Sequence, residues 1–123
     1  MTLVLVALLG GLGAATRFVV DGSIRARRTQ ALPVATVAVN VSGSALLGLL
    51  AGAHLYHGLG DTGFLLAATG FCGGYTTFST AMVETVRLVQ GGEYRLAVAN
   101  ALGSFLLALG AVALGVALMA ATA

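Results

Sequence analysis

Charge is what this sequence has least of: six basic and four acidic residues are spread over 123 positions, 8% of the chain. Tryptophan is absent, and proline and cysteine occur once each. So little charge, beside 59% hydrophobic residues and a mean hydropathy of +1.01, excludes a soluble domain of this size. The single cysteine, Cys72, excludes an intramolecular disulfide, and a lone thiol inside an apolar run is ordinarily a small packing residue. Cysteines, histidines and carboxylates nowhere cluster at metal-ligand spacing, and His54 and His57 read as interfacial polar residues rather than as ligands or pH sensors. Nucleophile, base and orienter do not occur as a set, so the chain is not read as an enzyme. Nothing in it calls for a nucleic-acid partner.

What is present is apolar sequence in lengths that suit a bilayer. A spanning helix needs roughly 20 predominantly apolar residues, and four stretches qualify: about Leu3 to Val20, Val34 to Tyr56, Gly63 to Leu88 and Leu96 to Ala120. The connections DGSIRARRTQALP, HGLGD and QGGEYR are short and polar, and Pro33 opens the second helix where its missing N–H does no harm. The expected fold is therefore an all-α integral membrane protein, one domain over residues 1–123. The first stretch lacks the basic leader and cleavage site of a signal peptide and is read as a span, the whole chain lying in the cell's inner membrane against lipid. GGLGAATR, Gly10 to Arg17, does not complete a nucleotide-binding G-x-G-x-x-G, since Thr16 stands at its last position. Its glycines are expected to let neighbouring helices approach closely.

Polar residues fall on faces. Thr36, Asn40, Ser44, Gly48 and Gly52 recur every four positions and form one stripe of the second helix; Asn100 and Ser104 do the same in the fourth. An amide in hydrocarbon is costly unless partnered, and together these residues read as a polar track. GFCGGYTTFST, Gly70 to Thr80, reads as a break in the third helix, placed at Gly73–Gly74, a poor helix segment. Irregular backbone at membrane depth is tolerated where it lines a cavity or is buried in protein, and the freed helix ends there attract ions. Glu84, the only acidic residue inside any span, is expected to pair with Arg87 at i,i+3.

GGLGAATRF, ATVAVNVSG and GFCGGYTTFST together resemble the Fluc (CrcB) family of small fluoride channels, over the whole chain. The resemblance implies an antiparallel dual-topology dimer with two fluoride pores, exporting toxic fluoride passively. A sodium ion would lie at the dimer centre on backbone carbonyls of Gly73 and Thr76. It further implies a pore phenylalanine at Phe78, a pore asparagine at Asn40 and a vestibule arginine at Arg17. Thr36, Thr77, Ser79 and Thr80 match hydroxyl positions beside them, with Ser104 and Asn100 extending the track from the fourth helix. Such a pore suits fluoride, which needs hydroxyl and amide donors in place of water and is favoured beside the positive edge of an aromatic ring.

One position departs from the family pattern: TTFSTA places Ala81 where a second pore phenylalanine is usual. The charges depart as well. Arg25, Arg27 and Arg28 lie in the first loop and Arg87 and Arg95 flank the third, while the opposite side has no Arg or Lys. The positive-inside rule then fixes one orientation, with both termini outside. Both features point to a heterodimer with a homologous subunit of opposite topology; the competing arrangement is a homodimer, in which a second copy of this chain is the partner and its terminus is reachable from both membrane faces. A small multidrug-type transporter, the alternative four-span dimer, needs a carboxylate in its membrane core, usually in the first helix, where the Leu3 to Val20 span has none. A non-conducting structural subunit would differ in tolerating loss of Phe78 or Asn40.

Overall fold

The computed structural model describes residues 1–28 and 32–123; Thr29, Gln30 and Ala31, inside the expected first loop, lie outside the described residues. Four helical rods account for nearly all of it. Helix α1 runs Thr2–Arg27 and α2 Val34–Tyr56. The third rod is composite: α3 (Asp61–Phe64), a π-helical segment Leu65–Cys72, α4 (Gly73–Tyr75) and, beyond a break, α5 (Phe78–Gln90). The fourth joins α6 (Tyr94–Val98), a π-helical turn Ala99–Gly103 and α7 (Ser104–Ala121). Among the described residues three helices, Thr2–Arg27, Val34–Tyr56 and Tyr94–Ala121, are long and apolar enough to cross a membrane; the third rod is not among them because it is interrupted.

The first helix outruns its expected end. Residues 21–27, assigned to the loop, continue it, and an i,i+4 ion pair of 2.7 Å between Asp21 and Arg25 stabilises the extra turns. The fourth rod likewise begins at Tyr94, two residues before its expected start.

Small residues set how the rods pack. Of the α1 glycines, Gly13 does as expected: a Cβ there would come within 2.9 Å of the Tyr75 backbone nitrogen, so α1 lies directly on the π segment and α4, whereas a Cβ at Gly11 would meet nothing within 4 Å and one at Gly10 only the Gly70 carbonyl at 3.6 Å. The stripe on α2 divides in two. Its Gly48 and Gly52 half forms a seam with α7, where a Cβ at Gly115 would sit 2.7 Å from the Leu49 nitrogen. The other half, Thr36, Asn40 and Ser44, faces the third-rod break, charged groups and cavities.

The two ends differ chemically. Arg25, Glu84 and Arg87 line one cavity, which places the arginines of α1 and α5 together at one end. At the other end the histidines close helix termini. His57 Nε2 lies 2.8 Å from the Met119 carbonyl and 3.0 Å from Thr122 Oγ1, while His54 Nδ1 lies 2.7 Å from the Leu59 carbonyl and its ring stacks on Phe64 at 4.9 Å. Carbonyls freed at helix ends need such partners.

Candidate functional site

The break in the third rod lies at Thr76–Thr77, three residues beyond the expected Gly73–Gly74. Thr76 (φ −84°, ψ 160°) and Thr77 (φ −146°, ψ 119°) are extended, whereas Gly73 and Gly74 are helical. Weak helix propensity does not decide the place. A reciprocal contact does: Asn40 Nδ2 donates to the Thr77 carbonyl at 2.8 Å, and the Thr77 N–H donates to Asn40 Oδ1 at 2.8 Å. In a continuous helix that N–H would reach the Gly73 carbonyl, so the asparagine diverts it and Gly73 loses its intrahelical partner. Thr77 then caps α5, its Oγ1 accepting from the Thr80 N–H at 3.2 Å. Gly74 is small for another reason: a Cβ there would run into the Gly10 carbonyl of α1.

Around this break lie three cavities that share lining residues. The largest, of about 370 Å³, is lined by Asn40, Ser44, Thr77, Phe78, Ala81 and Ser104 among others. Phe78 is 77% exposed although it sits beside the break that interrupts the third rod. Ser104 Oγ is buried with no hydrogen-bond partner among the described residues. A buried hydroxyl in that condition costs roughly 1–3 kcal/mol unless something occupies the cavity beside it. The second cavity, of about 230 Å³, is lined by Arg17, Asp21, Thr36, Thr77 and Thr80. There Arg17 Nε is also buried and unpartnered among the described residues. The third, of about 320 Å³, holds Arg25, Ser79, Thr80, Glu84 and Arg87. Thr77 borders the first two and Thr80 the last two, so hydroxyls run through all three.

Two expected pairings fall elsewhere. Glu84 does not pair with Arg87: its Oε1 accepts from the Thr36 hydroxyl and its Oε2 from Arg25 Nη2 at 3.3 Å, both from other helices. Asn100 is brought to Thr85 rather than to the cavities. It is 2% exposed, and its Nδ2 donates to Thr85 Oγ1 at 2.8 Å, tying the fourth rod to α5. Sequence reasoning also missed Arg25 as part of the polar assembly, because its partners Thr36 and Glu84 lie 11 and 59 residues away. Only the unusual placement of Glu84 inside a span could have prompted a search for a cation.

The asparagine clamp yields a direct expectation. Asn40→Ala strands both the N–H and the carbonyl of Thr77, costing about 2–4 kcal/mol. Thermal melting in detergent reads that loss; an unchanged midpoint would show that the break holds itself open.

A family model described as "CrcB-like protein, Camphor Resistance (CrcB)" matches residues 4–116. A Leifsonia xyli subsp. xyli protein named fluoride-specific ion channel FluC 1 is 50% identical over 110 residues, covering 89% of this chain and 80% of that protein. Cutibacterium acnes has a protein named fluoride-specific ion channel FluC 2 that is 45% identical over 120 residues, covering 96% of this chain and 97% of that one. A FluC 2 protein of Mycolicibacterium paratuberculosis is 48% identical over 102 residues, with 83% and 80% covered.

Proposed function

The chain belongs to the CrcB family, and from that premise we propose how it carries fluoride across the membrane and which residues make the path. It is a multi-pass membrane protein and an ion channel subunit, not an enzyme. The observation that carries the residue assignment is the large cavity, where an exposed phenylalanine ring stands beside an unpaired buried hydroxyl and a backbone break.

Fluoride holds its water tightly, so each water lost must be replaced by a donor. Ser104 supplies an O–H already without a partner among the described residues, and Asn40 keeps one of its two amide N–H bonds after serving Thr77. Phe78 offers its positive rim. From there Thr77 and Thr80 lead to the second cavity, where the Arg17 Nε–H, unpaired among the described residues, is a vestibule donor for an arriving anion. Ser79 borders the neighbouring cavity with Thr80.

A ring 77% exposed beside the break is unfinished as a pore wall, and a second subunit in opposite orientation would complete it. The same dimer would bring two copies of the exposed Gly73 together. Its carbonyl, released by the Asn40 clamp, and that of Thr76 at the break suit a sodium ion, which takes oxygen ligands, and the ion would hold the two broken rods together. Ala81 lines the Phe78 cavity with a methyl group only, so the second ring has to come from the partner. A homologous, oppositely inserted subunit fits that need and the one-sided arginines. The numbered names FluC 1 and FluC 2 among the relatives accord with paralogous genes from which such a partner could come.

Deleting the gene is expected to lower the fluoride concentration that stops growth, and an unchanged tolerance would count against the channel in the cell. Assemblies purified through a tag on this chain are expected to contain a second homologous chain, with the tag reachable from one membrane face only. A single species reachable from both faces would establish a homodimer.

A further inference from the structure

Glu84 is an awkward residue for an anion pathway. Its side chain is 13% exposed, it lines the third cavity with Ser79 and Thr80, and it accepts the hydroxyl proton of Thr36, itself 2% exposed and lining the second cavity. The Thr36 hydroxyl has one proton, and that proton is committed to Glu84. Thr36 therefore has none to give a passing anion, and the carboxylate beside it would repel one. The group that answers this charge is Arg25, whose Nη2 donates to Glu84 Oε2 at 3.3 Å and to Thr36 Oγ1 at 3.1 Å. Its Nε donates to Asp21 Oδ2 at 2.7 Å, so the same guanidinium also answers the acid that borders the Arg17 cavity. Arg87 lines the third cavity and Arg17 the second, but among the described residues neither forms an ion pair with Glu84.

We propose that Arg25 is a positioning residue for fluoride permeation: from the last turn of α1 it neutralises Glu84 and holds it against Thr36, which lets a carboxylate sit on an anion route without closing it. The inference rests on the fluoride-channel reading. Arg25 touches no permeating ion in this scheme; it acts through Glu84 and Asp21. Its side chain is 47% exposed, so its influence is electrostatic and sensitive to screening.

The test is fluoride efflux from liposomes holding the assembled channel, purified through a tag on this chain, with impermeant salt varied from about 20 mM to about 0.3 M. Losing one compensating charge near the path at an effective dielectric near 20 lowers flux about tenfold, so R25Q should fall by that much in low salt. Screening should shrink the deficit to about threefold in high salt. The R25Q/E84Q pair removes both charges and should return to within about threefold of the unsubstituted channel, while R25K, which keeps the charge, should stay within the same range at either salt. Flux in R25Q equal to the unsubstituted channel overturns the proposal. So does a deficit that salt leaves unchanged, or a double variant no better than R25Q. Should R25Q fail to fold, R25K decides, and a tenfold loss in folded R25K contradicts a role carried by charge. An unsubstituted channel that passes no fluoride would strike the channel reading itself, which keeps the two failures distinct.

Discussion

Phe78→Leu is expected to cut fluoride efflux about a hundredfold, equivalent to about 2.7 kcal/mol, while leaving the melting temperature nearly unchanged. The two halves of that expectation have one cause. A side chain 77% exposed on its own chain contributes little to the packing of that chain. Leucine keeps the apolar bulk but has no quadrupole, so the positive rim offered to a dehydrating anion disappears. Ser104 and Asn40 remain in place and account for residual flux. Efflux and melting measured on the same preparation check both halves. Undiminished flux would favour a structural subunit whose partner conducts alone, and a collapsed melting temperature would show the ring to be a packing residue.

Gly74→Ala should have the opposite profile, with the assembly lost before any flux can be measured. The added Cβ meets the backbone of Gly10 at its carbonyl, so no flexible side chain can swing aside to make room. Overpacking of this kind costs about 3 kcal/mol or more where the neighbours cannot move. Displacing α1 from α4 would also disturb the contact of Gly13 with Tyr75 and move the segment that leads into the break. Gly10→Ala is the matched control. A Cβ at Gly10 would meet only the Gly70 carbonyl at 3.6 Å, an ordinary contact. Its melting temperature should stay close to that of the unsubstituted chain, or rise slightly as helix propensity improves. Equal losses from the two changes would rule out the one-sided contact as the cause.

Much of the architecture is legible in the sequence because hydropathy and small-residue spacing are local signals. Three long helices follow from apolar length, and the Gly48 and Gly52 half of the α2 stripe packs on α7 as close-approach glycines should. The sequence also marks a break within GFCGGYTTFST. Its position was less accessible, because Asn40 acts on Thr77 from 37 residues away and overrides the propensity that pointed to Gly73–Gly74. Those glycines serve other ends: Gly74 admits α1, and Gly73 is left with a carbonyl deprived of its helical partner. Glu84 shows the same limit. Its neighbour Arg87 is the local choice, yet the fold offers Arg25 and Thr36 from two other helices, and a carboxylate that is mostly buried takes the arrangement with more donors. Asn100 and Ser104 occupy one helical face on paper. The structure ties one to Thr85 and leaves the other without a partner among the described residues, a division no spacing rule contains.

The proposed path past Phe78, Asn40 and Ser104 stands or falls on anion selectivity. Its most direct test is paired efflux, fluoride and chloride, from liposomes holding the assembly purified through a tag on this chain. The account predicts that fluoride leaves rapidly while chloride stays inside, because hydroxyl and amide donors with an aromatic rim replace the water of a small anion far better than that of a large one. Fluoride retained as in protein-free liposomes, or chloride leaving alongside it, would contradict it.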